Sequence, residues 1–165
     1  MKIWAVDAET ASEQLKDPQG FGLTAMLSIR GIEAPPISSE DPPPVPLCEL
    51  RFRDVGREKP EGPNPEVVAE GIEWLRERVN GVGRLVIHCR QGISRSVAFA
   101  AIALYLQGVP ENRIFYKLSE HVAHGSPSPN ADVLQIADEL LGSSLLRYYK
   151  RDMSGNYRMW ELCNS

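Results

Sequence analysis

Apolar residues follow two rhythms along this chain of 165 residues. Short apolar bursts bounded by turn residues predict buried strands, and longer runs at steps of three and four predict helices. Ile3, Trp4 and Val6 mark a first strand, Lys2 to Val6. Thr10 to Lys16 reads as a short helix, ended by Asp17-Pro18. Leu23 to Ile29 is apolar enough for a second strand, closed by Arg30-Gly31. Leu47 to Val55 alternates after Cys48, with Leu50, Phe52 and Val55 apolar and Arg51, Arg53 and Asp54 polar. It predicts a third strand that runs into a loop, Gly56 to Gly62, whose charge, Gly and Pro content imply mobility.

A helix start follows. Asn64 is placed to cap, Pro65 suits the first helical position, and Glu66 complements the positive end. Val68, Ile72, Leu75 and Val79 then line one face, and Gly81 stops the run. Leu85 to His88 predicts the fourth strand. From near Ser94 to Gly108 apolar residues occupy every side, which predicts a buried central helix. Pro110 to His121 predicts another helix, with Ile114, Phe115 and Leu118 inward, broken by Ser126-Pro127-Ser128-Pro129. Asn130 can cap a last helix through Leu141, with Val133, Leu134, Ala137, Leu140 and Leu141 toward the core. The tail from 143 to Ser165 carries Tyr148, Tyr149, Tyr157 and Trp160 without a clear period.

Strands alternating with helices predict an α/β fold, a mostly parallel central sheet of about four or five strands flanked by helices. Its functional site is expected at the carboxyl ends of the strands. The length suits one domain over residues 1–165, with no internal repeat. Gly31 to Pro46 holds six of the thirteen prolines. That density excludes regular structure and predicts a stiff, solvent-exposed connection.

Composition narrows the function classes. The net charge of -4 argues against a nucleic-acid partner, which would favour a basic surface. No apolar run reaches the length of a membrane span, and the segment from Met1 meets Asp7 too soon for a signal peptide. Three cysteines, Cys48, Cys89 and Cys163, make no paired framework and suit a reducing cytoplasmic setting. A resolving role for Cys48 or Cys163 toward an oxidised Cys89 stays open. His121 and His124 make no convincing ligand set, so neither metal nor cofactor is expected.

The chemistry concentrates between strand and helix, in His88-Cys89-Arg90-Gln91-Gly92-Ile93-Ser94-Arg95-Ser96. A loop wrapped around a helix N-terminus points several backbone N–H groups at one spot, where the helix dipole adds positive potential. Arg90, Gln91, Gly92, Ile93 and Ser94 are the loop residues placed to bind an anion. Gly92 lets the backbone turn, and Arg95 offers a planar fork that suits phosphate. Cys89 stands in the floor. A thiol beside a guanidinium at a helix N-terminus is pushed toward the thiolate. An anion site with such a nucleophile implies phosphoryl transfer through Cys89, and phosphate, sulfate or vanadate should bind in the loop.

This stretch closely resembles the phosphate-binding loop of the cysteine-dependent protein tyrosine phosphatase superfamily, in particular its dual-specificity branch, where Gly-x-Ser-Arg-Ser is common. The resemblance is strong from about Leu50 to Leu106, extends to Leu141, and is thin before Leu47. It implies a protein tyrosine phosphatase-like fold and a metal-independent phosphatase acting on phosphotyrosine, with phosphoserine and phosphothreonine as further substrates. Ser96 would help the sulfur leave, and His88 would orient the loop. The general acid of that family lies in a loop after a strand ahead of the cysteine, a position matched by Asp54; Glu58 and Glu61 are the substitutes. Arg90 and Gln91 depart from the commoner pattern, and Arg90 could favour a substrate with more than one phosphate. The Arg that often precedes the Pro-Asn of the last helix is missing here, which leaves the packing behind the loop open.

The same loop would also serve a phosphoinositide, inositol phosphate or RNA 5′-triphosphate phosphatase. A phosphate-binding module without turnover is a further alternative, opposed by the intact Cys89, Arg95 and Asp54. A rhodanese-like sulfur transferase fits the Ser-Arg-Ser ending poorly.

Overall fold

The computed structural model describes residues 1–120, 122 and 127–152. Four strands, β1 (Lys2–Val6), β2 (Leu23–Arg30), β3 (Leu47–Arg51) and β4 (Arg84–His88), form a parallel sheet in the order β1-β4-β2-β3. Helices α1 (Ala8–Lys16), α2 (Pro18–Phe21), α3 (Pro65–Arg76), α4 (Arg95–Leu106), α5 (Glu111–Leu118) and α6 (Ala131–Leu141) surround it. The expected α/β class is therefore observed, with four strands. No helix among the described residues is long and apolar enough to cross a membrane.

Alternation along the strands divides the core into two layers. Ala25, Leu27, Ile29, Leu50, Leu85 and Ile87 meet α3, α4, α5 and α6 on one face. Val6, Met26 and Val86 meet Ala11 and Leu15 of α1 on the other. Residues 97–103 of α4 are all fully buried, as its unbroken apolar pattern requires. Gly71 of α3 makes room for this: a Cβ there would come within 2.5 Å of the Phe99 ring.

Several local expectations need correction. The helix expected from Thr10 begins at Ala8, because the side chain of Asp7 caps it by accepting from Thr10 N at 2.7 Å. Asp17-Pro18 ends α1 but also starts α2. The third strand stops at Arg51, short of Val55, since beyond it Arg53 N turns to bond Glu61 O. Helix α3 stops at Arg76, and Val79 is buried from the turn that follows.

Leu140, expected in the core, is 46% exposed, because the α6 stripe that packs inward is Val133, Leu134, Ile136 and Ala137. The proline-rich segment 31–46 has no helix or strand, yet it is more than an exposed connection. Val45 is buried and Ile37 packs beside it, so the segment covers part of the second core layer. Residues 145–152 are helical, where no period was legible. Leu145 is buried there, and Tyr149 meets Phe115 with ring centroids 5.6 Å apart. His121, His124, Tyr157, Trp160 and Cys163 lie outside the described residues.

Candidate active site

Strand order decides what surrounds Cys89. Because β4 lies between β1 and β2, the segments leaving those strands flank its carboxyl end, the place where open α/β sheets bind ligands. A cavity of about 600 Å³ opens there. Ala8 from the start of α1 lines it, as do Ile29, Arg30, Gly31 and Ala34 after β2 and Arg53 and Asp54 after β3. The run from His88 to Arg95 completes the lining, with Gly92 buried beneath the surface.

The 88–96 segment takes the shape its sequence requires. Gly92 has φ +73°, and a Cβ there would come within 2.5 Å of the Val6 backbone, so a larger residue is excluded twice over. The Gly92 N–H donates to Cys89 Sγ at 3.3 Å, and Ser96 Oγ lies 3.2 Å from the same sulfur. Cys89 and Ser96 are buried. Arg95 is 7% exposed; its Nη1 donates to Phe52 O at 2.8 Å, while its buried Nε has no partner in the protein. Arg90 and Gln91 are exposed at the rim, with Arg90 O accepting from Ala8 N.

His88 is wholly buried. Its Nε2 lies 2.7 Å from Ser28 Oγ and its Nδ1 lies 3.3 Å from Cys89 O. Burial above all, and also the nearby charges of Arg30 and Arg95, push the imidazole down to about 4. The ring is therefore neutral at pH 7, which suits an orienting role better than proton transfer. Cys48 lies buried in the core, and burial pushes its thiol up to about 11. It does not line the cavity.

Asp54 reaches the loop from the other side. Its Oδ1 accepts from Ser94 Oγ at 2.7 Å and from Asn130 Nδ2 at 2.9 Å. Neither Arg53 nor Arg57 pairs with it. Arg53 pairs with Glu61, and Arg57 pairs with Glu139 at 2.8 Å. The loop 56–62 is consequently fastened to α6, with Arg57 N also donating to Asp132 at 2.9 Å. That differs from the mobility its composition implied. Neither Glu58 nor Glu61 lines the cavity.

Asn130 carries a role that sequence reading missed. Its Oδ1 caps α6 by accepting from Asp132 N and Val133 N, and its Nδ2 holds Asp54. Only the capping half has a sequence signal. The packing behind the loop, left open by the missing Arg, is supplied by backbone: Ser128 N donates to Ile93 O at 2.8 Å, and Asn130 N to Ser94 O at 3.3 Å. Arg30 was likewise read only as a strand end, although it lines the cavity. Among the described residues no three of His, Cys, Asp or Glu are grouped to hold a metal ion.

Known structures share this architecture. Human DUSP28 aligns with a TM-score of 0.63 at 17% identity, over 86% of this chain and 90% of its own. The phosphatase fold is this chain's fold. Tk-PTP in its active form aligns at 0.58 and 18% identity over 87% of this chain and 94% of its own. The human tyrosine phosphatase-like serine/threonine/tyrosine-interacting protein aligns at 0.58 and 23% identity, over 79% and 83%. No family model matches the sequence, and no curated protein does. The likeness to the phosphatase fold thus rests on architecture, and the chemistry rests on the residues in the cavity.

Proposed function

We propose that this protein is a cysteine-dependent phosphatase that hydrolyses phosphate monoesters through a cysteinyl-phosphate intermediate. The observation that carries the reading is one cavity in which Cys89, Arg95 and Asp54 meet, with Gly92 N–H and Ser96 Oγ on the sulfur. Cys89 Sγ attacks phosphorus, the ester P–O bond breaks, and Asp54 gives a proton to the leaving oxygen. Water then attacks the phosphorus, Asp54 takes its proton, and the P–S bond breaks. Both hydrogen bonds to Asp54 fall on Oδ1, so Oδ2 is the oxygen available to carry that proton.

Loop amides and Arg95 stabilise the equatorial oxygens, and donors held in place before the reaction supply most of the rate enhancement in many such sites. Arg95 Nε is a buried donor awaiting an acceptor. Ser96 stabilises the departing thiolate, and His88 holds the loop. Phosphotyrosine in protein is the first substrate reading, with phosphoserine and phosphothreonine following it, since Ile29, Ala34 and Ile93 give the cavity apolar wall for a ring. A non-protein phosphate is the second reading, favoured by Arg30 and Arg90 lining the cavity beside Arg95. A reducing, cytoplasmic setting suits a thiolate enzyme.

The test is Cys89→Ser. It should abolish hydrolysis of p-nitrophenyl phosphate while vanadate still binds, and chelators should leave wild-type turnover unchanged. Surviving turnover in Cys89→Ser would overturn the reading.

A further inference from the structure

The cavity holds more positive charge than a single phosphate ester requires. Arg30, the last residue of β2, lines it together with Arg90 and Arg95. Arg53 has Glu61 as a partner, and Arg90 is exposed to water. Arg30 differs from both. It is half-buried and forms no ion pair among the described residues, and its Nε is buried with no hydrogen-bond partner.

Among the described residues Glu49 is the acid whose charge favours the Arg30 cation, and Glu49 is already engaged by Arg51, whose Nε donates to it at 2.9 Å. Burial first, and then the like charges of Arg51 and Arg95, hold the Arg30 guanidinium below its usual range despite Glu49. A buried cationic donor without an acceptor is costly, and like charges nearby add to that cost. An anion entering between Arg30 and Arg95 relieves both. A guanidinium binds phosphate oxygens through paired donors.

We propose that Arg30 forms a second anion subsite, and that, within the second substrate reading above, the preferred substrate is a compact molecule bearing a second phosphate beside the scissile one. Arg30 lies at a strand end within the cavity rather than at its exposed rim, so the second phosphate has to enter as well. A small molecule does this more readily than the neighbouring side chain of a peptide. The cavity volume of about 600 Å³ falls in the range of small-ligand sites. Turnover of such a substrate rests on the phosphatase reading; its binding does not.

The binding arm uses Cys89→Ser and calorimetry. Pyrophosphate should bind at least tenfold more tightly than phosphate, and adding Arg30→Met should erase that ratio while Arg30→Lys keeps part of it. The turnover arm compares kcat/KM for inositol 4,5-bisphosphate and inositol 4-phosphate in the wild type and in Arg30→Met. A preference of about tenfold or more for the bisphosphate should collapse in the variant. Equal losses on both substrates, or an unchanged ratio, would overturn the proposal. So would a preference confined to doubly phosphorylated peptides, or Arg30→Lys behaving like Arg30→Met. Absence of turnover on every ester would count against the phosphatase reading alone, and the pyrophosphate ratio would still decide the subsite.

Discussion

Ser94 Oγ donates a 2.7 Å hydrogen bond to Asp54 Oδ1. This single contact joins the loop that carries the proposed nucleophile to the segment that carries the proposed acid, across forty positions of sequence. It also explains why Ser94, at the N-cap of α4, makes no capping bond to its own helix. The hydroxyl is spent on Asp54.

Asp54→Asn should lower kcat by about 10²–10⁴ on alkyl phosphates, the range expected for loss of a general acid. On p-nitrophenyl phosphate, whose leaving group needs little help, the loss should be much smaller. Glu58→Gln producing this pattern instead would move the acid to Glu58. Ser94→Ala should give a weaker version of the same pattern, since Asn130 still holds Oδ1.

Ser96→Ala should act on the second step. Its hydroxyl lies 3.2 Å from Cys89 Sγ, so its loss slows departure of the thiolate from the cysteinyl phosphate. Rapid-quench mixing should show a burst of the first product followed by slow turnover. A variant that slows the burst itself would place Ser96 in nucleophile activation instead.

His88 makes stability depend on pH. The unfolded chain takes up the imidazole proton near pH 6.5 and the folded protein only near 4. The unfolded state therefore binds more protons between those values, and stability falls as pH drops through the window. At about 1.4 kcal/mol per pH unit, the full loss approaches roughly 3 kcal/mol. Urea midpoints measured from pH 7 to 4 should fall more steeply for the wild type than for His88→Gln. Equal slopes would assign the acid sensitivity to other groups.

The two described cysteines should separate chemically. Iodoacetate at pH 7 should label Cys89 and inactivate the protein while sparing Cys48, whose thiol burial pushes up to about 11. Peptide mapping reads the outcome, and prior addition of phosphate should protect Cys89. Labelling of Cys48 at a comparable rate would show that its core site opens.

How much of this was legible in the chain follows sequence distance. Cys89, Gly92, Arg95 and Ser96 lie within one short contiguous stretch, and the strand-to-helix turn between β4 and α4 brings them together by local geometry alone. Hydrophobic rhythm likewise marked all four strands, the inward face of α3 and the all-round burial of α4, because burial imposes its pattern on each element separately. Asp54 was legible as the candidate acid because it follows a strand. Its partners Ser94 and Asn130 were not, because nothing local in a capping Asn signals its second contact. Leu140 and the helix 145–152 were misjudged for a related reason: which side of an amphipathic segment is covered depends on its neighbours.

The sequence by itself determined the candidate nucleophile, its anion loop and the alternation of strands and helices, since these are written in contiguous residues. Only the tertiary structure decided that Asp54 locks onto Ser94 and Asn130, that the proline-rich segment closes the second core layer, and that Arg30 enters the cavity of Cys89. Each depends on the order β1-β4-β2-β3, which places the ends of distant strands side by side. That order is chosen by the packing of whole faces, a property no short stretch of residues contains.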